Sequence, residues 1–207
     1  MSTRIIMNRA ICFDDVLLVP KFSKIESRSQ INLKTQLTPN KDDHLELPIV
    51  SAPMDTVTGP EMAIAMDAAG GLGILHRYNS ISEQVSLVRQ IFLKNPDARF
   101  GVAIGTTDEY EKRARALFDE GCRIFCLDVA HGHHILMKNA LECLRRRYGS
   151  EVHLMAGNIA TLEAFNDLSD WGADSIRVGV GGGSICSTRV QTGHGVPRPN
   201  DPLAPHA

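Results

Sequence analysis

No run of about 18 apolar residues occurs in the chain, so no membrane-spanning helix is expected. The N-terminus, MSTRIIMNRA, lacks the apolar centre of a secretory signal. Net charge is only -2 and no long block of one sign interrupts the chain, which argues against a nucleic-acid or anionic-membrane surface. The longest basic run, Arg145-Arg146-Arg147, closes a predicted helix, where it suits the helix dipole. Cysteine is sparse and scattered: Cys12, Cys122, Cys126, Cys143 and Cys186 contain no CxxC pair, so neither a zinc site nor a disulfide framework is supported. Free thiols in odd number fit a reducing cytoplasm, which would also keep a catalytic thiol intact. No GxGxxG opens a βαβ unit, and a Rossmann reading therefore lacks support. The 207 residues, 43% hydrophobic and 22% charged, have an ordinary globular composition sized for one domain.

What the chain does have is a rhythm. Ile31 to Leu37 alternates as a half-exposed strand, and Pro39 to Asp43 is a turn cluster. Short apolar strands are then expected at Pro48 to Met54, Leu72 to Leu75, Phe100 to Ile104, Arg123 to Val129, Val152 to Ala156 and Ser175 to Val180. Helices fill the gaps. Pro60 opens the first, and Ser80-x-x-Glu83 and Thr106-x-x-Glu109 read as capping boxes for the next two. A fourth runs from about His134 to Tyr148, and Thr161 starts the fifth. Repeated βα units imply an α/β fold with a parallel sheet. Periodicity alone leaves a doubly wound sheet and a (β/α)8 barrel equally open.

The chemistry concentrates after the sixth strand. Ser175 to Pro197 reads SIRVGVGGGSICSTRVQTGHGVP: a β-branched run, a glycine-dense loop, then Cys186 and Thr188. Glycine lets a ligand approach the backbone closely, and consecutive N–H groups make a nest suited to phosphate. A cysteine just past such a cradle is placed to attack a nucleotide ring, with Thr188 handling a proton. The plain alternative is a tight turn followed by a small buried hydrophobe. Other polar groups follow strand ends in the same way: Ser51 to Asp55, His76-Arg77, Gly105, Asp128 to His131 and Asn158. His131, His133 and His134 cluster like metal ligands but lack a matching carboxylate or cysteine pair, and His131 reads as a loop-orienting residue. Asp55 and Asp128 could pair as acid and base, and Asp55 reads equally as a buried structural carboxylate; Cys122, Cys126 and Cys143 read as packing residues and Trp171 as core.

VGVGGGSICSTR with TGHGVP resembles the active-site loop of the IMP dehydrogenase / GMP reductase family. CFDDVLLVP, SRS, LPIVSAPMDTVT, LHRY, LDVAHGH and MAGNIAT match further family segments in the same order, from about residue 11 to Pro197. The resemblance implies an incomplete (β/α)8 TIM-type barrel, with about six of eight units in residues 1–197 and an irregular proline-rich tail over 198–207. It implies a cysteine thioimidate at C2 of a purine nucleoside monophosphate, with Cys186 as nucleophile and Thr188 as its proton partner. Ser184 resembles the phosphate-binding serine, with Ser51, Met54 and Asn158 as further substrate contacts. The carbonyls of Gly181, Gly183 and Cys186 match potassium ligands. Asp128, Val129, Ala130, Arg77 and Gly181 match a nicotinamide site, and Ser27 and Arg28 match a pair that reaches the adenosine end in a neighbouring subunit. A homotetramer is implied. One departure is Gly182, where the family usually has proline; it should make the loop more mobile.

Two activities share these motifs. The plain Asn95-Pro96-Asp97 turn leaves no room for the CBS pair usual in dehydrogenases, and SRS and LDVA resemble reductases. NADPH-dependent reductive deamination of GMP is the expectation. SAPMDTVT and GSIC are dehydrogenase-like, which keeps NAD-dependent oxidation of IMP as the alternative. A third expectation is a truncated piece, inert or serving only subunit contact.

Overall fold

A computed structural model describes residues 17–38, 44–107, 109–183 and 186–196. Cys12, the turn cluster at 39–43, Ser184 and the tail over 198–207 lie outside the described residues. The elements run β1 Thr35–Gln36, β2 His44–Leu45, β3 Val50–Ser51, α1 Pro60–Ala68, β4 Leu72–Leu75, α2 Ile81–Lys94, β5 Phe100–Ile104 and α3 Tyr110–Asp119. They continue β6 Ile124–Asp128, α4 Ile135–Tyr148, β7 His153–Ile159, α5 Leu162–Asp170, β8 Ser175–Val178 and α6 Thr188–Thr192. None of the described helices is long and apolar enough to cross a membrane.

Six strands form one parallel sheet in the order β3-β4-β5-β6-β7-β8. Each new strand joins the side of its predecessor, so the winding never reverses. A doubly wound sheet needs a reversal point. Sequential order is the winding of a (β/α)8 barrel, and the fold is an α/β barrel of that type with six units present.

The strand residues alternate between two cores, as the pleat requires. Leu75, Val102, Phe125, Leu127 and Leu154 face outward against Val88, Ile91, Leu117, Leu141 and Leu144 of the helices. Leu72, Ile74, Ala103, Cys126 and Met155 face inward and meet Leu45 and Leu37 of the β1–β2 hairpin. That antiparallel hairpin, pairing Thr35 with Leu45, thus covers part of the sheet's inner face.

Local signals explain most helix starts. Ser80 accepts from the Glu83 N–H at 3.2 Å, and Glu83 accepts from the Ser80 N–H at 2.8 Å, a closed capping box. Thr161 accepts from the Ala164 N–H at 3.2 Å. The second predicted box fails. Helix α3 begins at Tyr110 with Glu109 at its N-cap and no side-chain cap. Thr106 is instead buried at 7% exposure in the loop after β5. Packing the loop outweighs a cap of about 1 kcal/mol.

Three further expectations are corrected. Only Thr35–Gln36 of the Ile31 to Leu37 run is strand, because its partner supplies just two residues. Asp55 is exposed and accepts from the Thr56 N–H at 3.0 Å. Trp171 is half-buried at the rim of the outer core, stacked on His133 at 5.8 Å between ring centres.

Candidate active site

The C-terminal ends of β6, β7 and β8 open onto a cleft of about 660 Å³. It gathers residues far apart in sequence: Met54, Arg77, Asp128, Val129, Ala130, Asn158, Gly181, Gly183, Cys186 and Thr188 all line it. Ten of the residues singled out from sequence therefore share one wall.

The backbone that builds this wall is heavily cross-tied. Val129 N–H donates to Gly157 O at 3.0 Å, Asn158 N–H to Val129 O at 2.9 Å, and Gly132 N–H to Asn158 O at 2.7 Å. The Asn158 side chain donates to Gly179 O at 3.1 Å and so links the loop after β6 to the glycine loop. Gly179 and Gly181 have φ of +124° and +71°, which disfavour any side chain. A Cβ on Gly181 would also sit 3.2 Å from Gly195 Cα and from His194 O. The TGHG stretch thus packs beneath the loop, and Val196 N–H donates to Val180 O at 2.9 Å. The short α6 follows Cys186, an element not anticipated from sequence.

Cys186 is half-buried, and its N–H donates to Gly183 O at 3.1 Å. Its thiol is held below the ordinary value, chiefly by the Thr188 hydroxyl and then the Thr188 N–H, with the Arg189 charge and the Gly181 N–H adding to them. Two buried cysteines contrast with it. Burial pushes Cys122 up to about 12 and Cys126 up to about 11. Thiolate, not thiol, is the nucleophile, so these environments favour reaction at Cys186 over those two. Iodoacetamide should label Cys186 at lower pH than an ordinary thiol and leave Cys122 and Cys126 untouched in the folded protein. Thr188→Val removes the largest cause of the depression and should shift the rate–pH profile upward; superimposable profiles would contradict this origin.

Arg77 donates to the Asp128 carbonyl at 3.1 Å, its buried Nε has no hydrogen-bond partner among the described residues, and its guanidinium lies 5.6 Å from the Tyr78 ring centre. Those features suit a wall that meets a polar ligand. Sequence reasoning missed Arg177, which also lines the cleft and pairs with Asp128. A charge inside the β-branched run SIRVGV was the available signal.

Other expectations fall elsewhere. Ser51 bonds to the Thr58 hydroxyl at 2.8 Å and lines a separate cavity of about 440 Å³ beside the β1–β2 hairpin. Ser27 and Arg28 sit on an exposed 3-10 turn, where the Ser27 hydroxyl meets the Ser29 hydroxyl at 2.9 Å. His133 bonds Asp167 at 2.8 Å and His134 accepts from the Leu136 N–H at 3.1 Å, so each serves its own neighbourhood.

A family model described as the IMP dehydrogenase / GMP reductase domain matches residues 10–200. The inosine-5'-monophosphate dehydrogenase of Cryptosporidium parvum is 33% identical over 233 aligned positions, covering 93% of this chain and 56% of that protein. The GMP reductase of Mesoplasma florum is 31% identical over 188 positions, covering 90% of this chain and 57% of that protein. Among solved structures, inosine 5' monophosphate dehydrogenase from Legionella pneumophila superposes with a TM-score of 0.83 at 41% identity, covering 92% of this chain and 57% of that one. The chain thus spans somewhat over half the length of these relatives.

Proposed function

Because the chain belongs to the IMP dehydrogenase / GMP reductase family, we propose that its cleft is a nicotinamide-dependent oxidoreductase site for a purine nucleoside monophosphate. One observation carries this reading: a thiol held below its ordinary pKa shares an open cleft with the Thr188 hydroxyl and the Asp128–Ala130 loop. The Cys186 sulfur adds to C2 of the purine, and departure of the C2 substituent, the amino group of GMP as ammonia or the hydrogen of IMP as hydride to the dinucleotide, leaves a thioimidate. Thr188, beside the sulfur, gives and takes the proton that this addition and its reversal require. The nicotinamide supplies or accepts a hydride when bound, and Arg77, Asp128, Val129 and Ala130 form the wall for it. Met54 and Asn158 flank the purine nucleotide, and Ser184 is its phosphate contact. Ser51, the remaining substrate contact expected from sequence, bonds the Thr58 hydroxyl and lines the cavity beside the hairpin.

The backbone carbonyls of Gly181, Gly183 and Cys186 are hard oxygen donors of the kind an alkali cation takes. Gly183 O already accepts one N–H and keeps a second lone pair for potassium. Ser27 and Arg28 lie on their exposed turn for use by a neighbouring subunit of a homotetramer, with exposed Leu17, Leu18 and Phe22 nearby in the chain as apolar contact surface. The compartment proposed is the cytoplasm, where Cys186 stays reduced.

The favoured reaction is reductive deamination: GMP, NADPH and two protons give IMP, NADP+ and ammonium. The short 95–99 connection between α2 and β5 supports it, as does the near-gapless alignment with the Mesoplasma florum reductase. Oxidation of IMP to XMP by NAD and water is the second reading, favoured by the 41% identity to the Legionella pneumophila dehydrogenase. Absorbance at 340 nm decides between them: it should fall with GMP and NADPH, and a rise with IMP and NAD selects the second. A folded protein silent in both directions contradicts the enzyme reading.

A further inference from the structure

Asp128, Gly157 and Arg177 lie in one row across three adjacent strands. Asp128 of β6 pairs with Gly157 of β7, and Gly157 pairs with Arg177 of β8. Residues in one row face the same side of a sheet, and strands two apart are separated by about 9–10 Å. A side chain in the middle position would block any contact between the outer two. Glycine leaves the space open: a Cβ there would lie 2.7 Å from both the Cβ and the carbonyl oxygen of Arg177. Arg177 crosses over Gly157, and its Nη1 donates to Asp128 Oδ1. The same nitrogen lies 3.7 Å from Cys126 Sγ, the inward residue two positions before Asp128. Both partners are largely shielded, with side chains 27% and 17% exposed. From β4's end, Arg77 holds the Asp128 backbone carbonyl.

We infer that Arg177 is a positioning residue for the dinucleotide, acting through Asp128 across the gap that Gly157 leaves. The guanidinium fixes the carboxylate by Oδ1 and leaves Oδ2 to accept from a ligand hydroxyl, such as one of a ribose pair. It also neutralises the carboxylate, so the pair does not repel a ligand that carries phosphates. Arg177 lies two residues before Gly179, where the glycine loop starts, so one side chain sets the spacing between the cofactor wall and the loop that carries Cys186. This role rests on the nicotinamide reading above. A strut that merely locks β6 to β8 would affect every ligand of the cleft equally; a positioning residue acts on the dinucleotide selectively.

The test titrates the full chain with NADPH by its fluorescence and with GMP by calorimetry, alongside a thermal melt. Arg177→Met should weaken NADPH about tenfold or more, the loss of one charge-assisted hydrogen bond, and change GMP affinity by less than about twofold. Arg177→Lys keeps the charge but not the planar fork, and should weaken NADPH by an intermediate factor of about threefold. If Arg177→Met does not fold, because it strands a shielded carboxylate, Arg177→Lys decides alone. Equal losses for both ligands, or no loss of NADPH, overturn the inference and leave the proposed function standing. A wild-type chain that binds GMP but neither NADPH nor NADH overturns the nicotinamide reading, and the inference with it.

Discussion

Cys186→Ala should lower turnover by about three orders of magnitude or more, whichever direction the reaction runs, because no other thiol lines the cleft among the described residues. The thiol is half-exposed on a loop, so its loss removes little packing. The melting temperature should therefore stay close to wild type, and the purine nucleotide should still bind. That combination separates a lost nucleophile from a lost fold. A variant with residual turnover near wild type would show that Cys186 only lines the cleft.

Phe125→Ala should have the largest effect on stability. Phe125 is fully buried in β6, paired in register with Val102 and Leu154, and its ring lies 6.1 Å from that of Tyr148. Tyr148 in turn lies tilted against Phe118 with ring centres 4.6 Å apart, so three aromatic rings join β6 to α3 and α4. Truncation leaves a cavity the sheet cannot close, at a cost of about 3–5 kcal/mol. At roughly 2–4 °C per kcal/mol for a domain of this size, the melting temperature should drop by about 6–20 °C. A drop of a degree or two, measured by circular dichroism, would mean the site collapses and the outer core is softer than its packing implies.

Much of this architecture was legible because it depends on local pattern. The Ser80–Glu83 box, Pro60 and Thr161 mark helix starts by chemistry that needs no tertiary context. The apolar runs at Leu72–Leu75, Phe100–Ile104 and Ile124–Asp128 locate strands for the same reason. Strand length and spacing do not carry the winding order, since they are the same whether a sheet reverses or not; the family resemblance implied the barrel, and the parallel pairings bear it out. Thr106 shows the opposite failure, a sound local signal overridden by burial.

In the cleft, residue type was informative and register was not. Cys186, Thr188 and the glycines stood out by composition, and Gly179 and Gly181 do adopt positive φ. Ser51 follows a strand end as expected, yet its hydroxyl is taken by Thr58 seven residues later. Arg177 owes its role to Gly157 on the next strand and Asp128 on the one after, a relation no single segment contains.

The central proposition is that the glycine loop after β8 presents one activated sulfur to a purine nucleotide. Intact-mass spectrometry of the wild-type chain after incubation with 6-chloropurine ribotide tests it most directly, since thiolate substitution releases chloride and leaves the ribotide on sulfur. The expected result is a single adduct whose peptide map places it on Cys186, absent from Cys186→Ala. An unmodified chain, or equal labelling of wild type and Cys186→Ala, would contradict it.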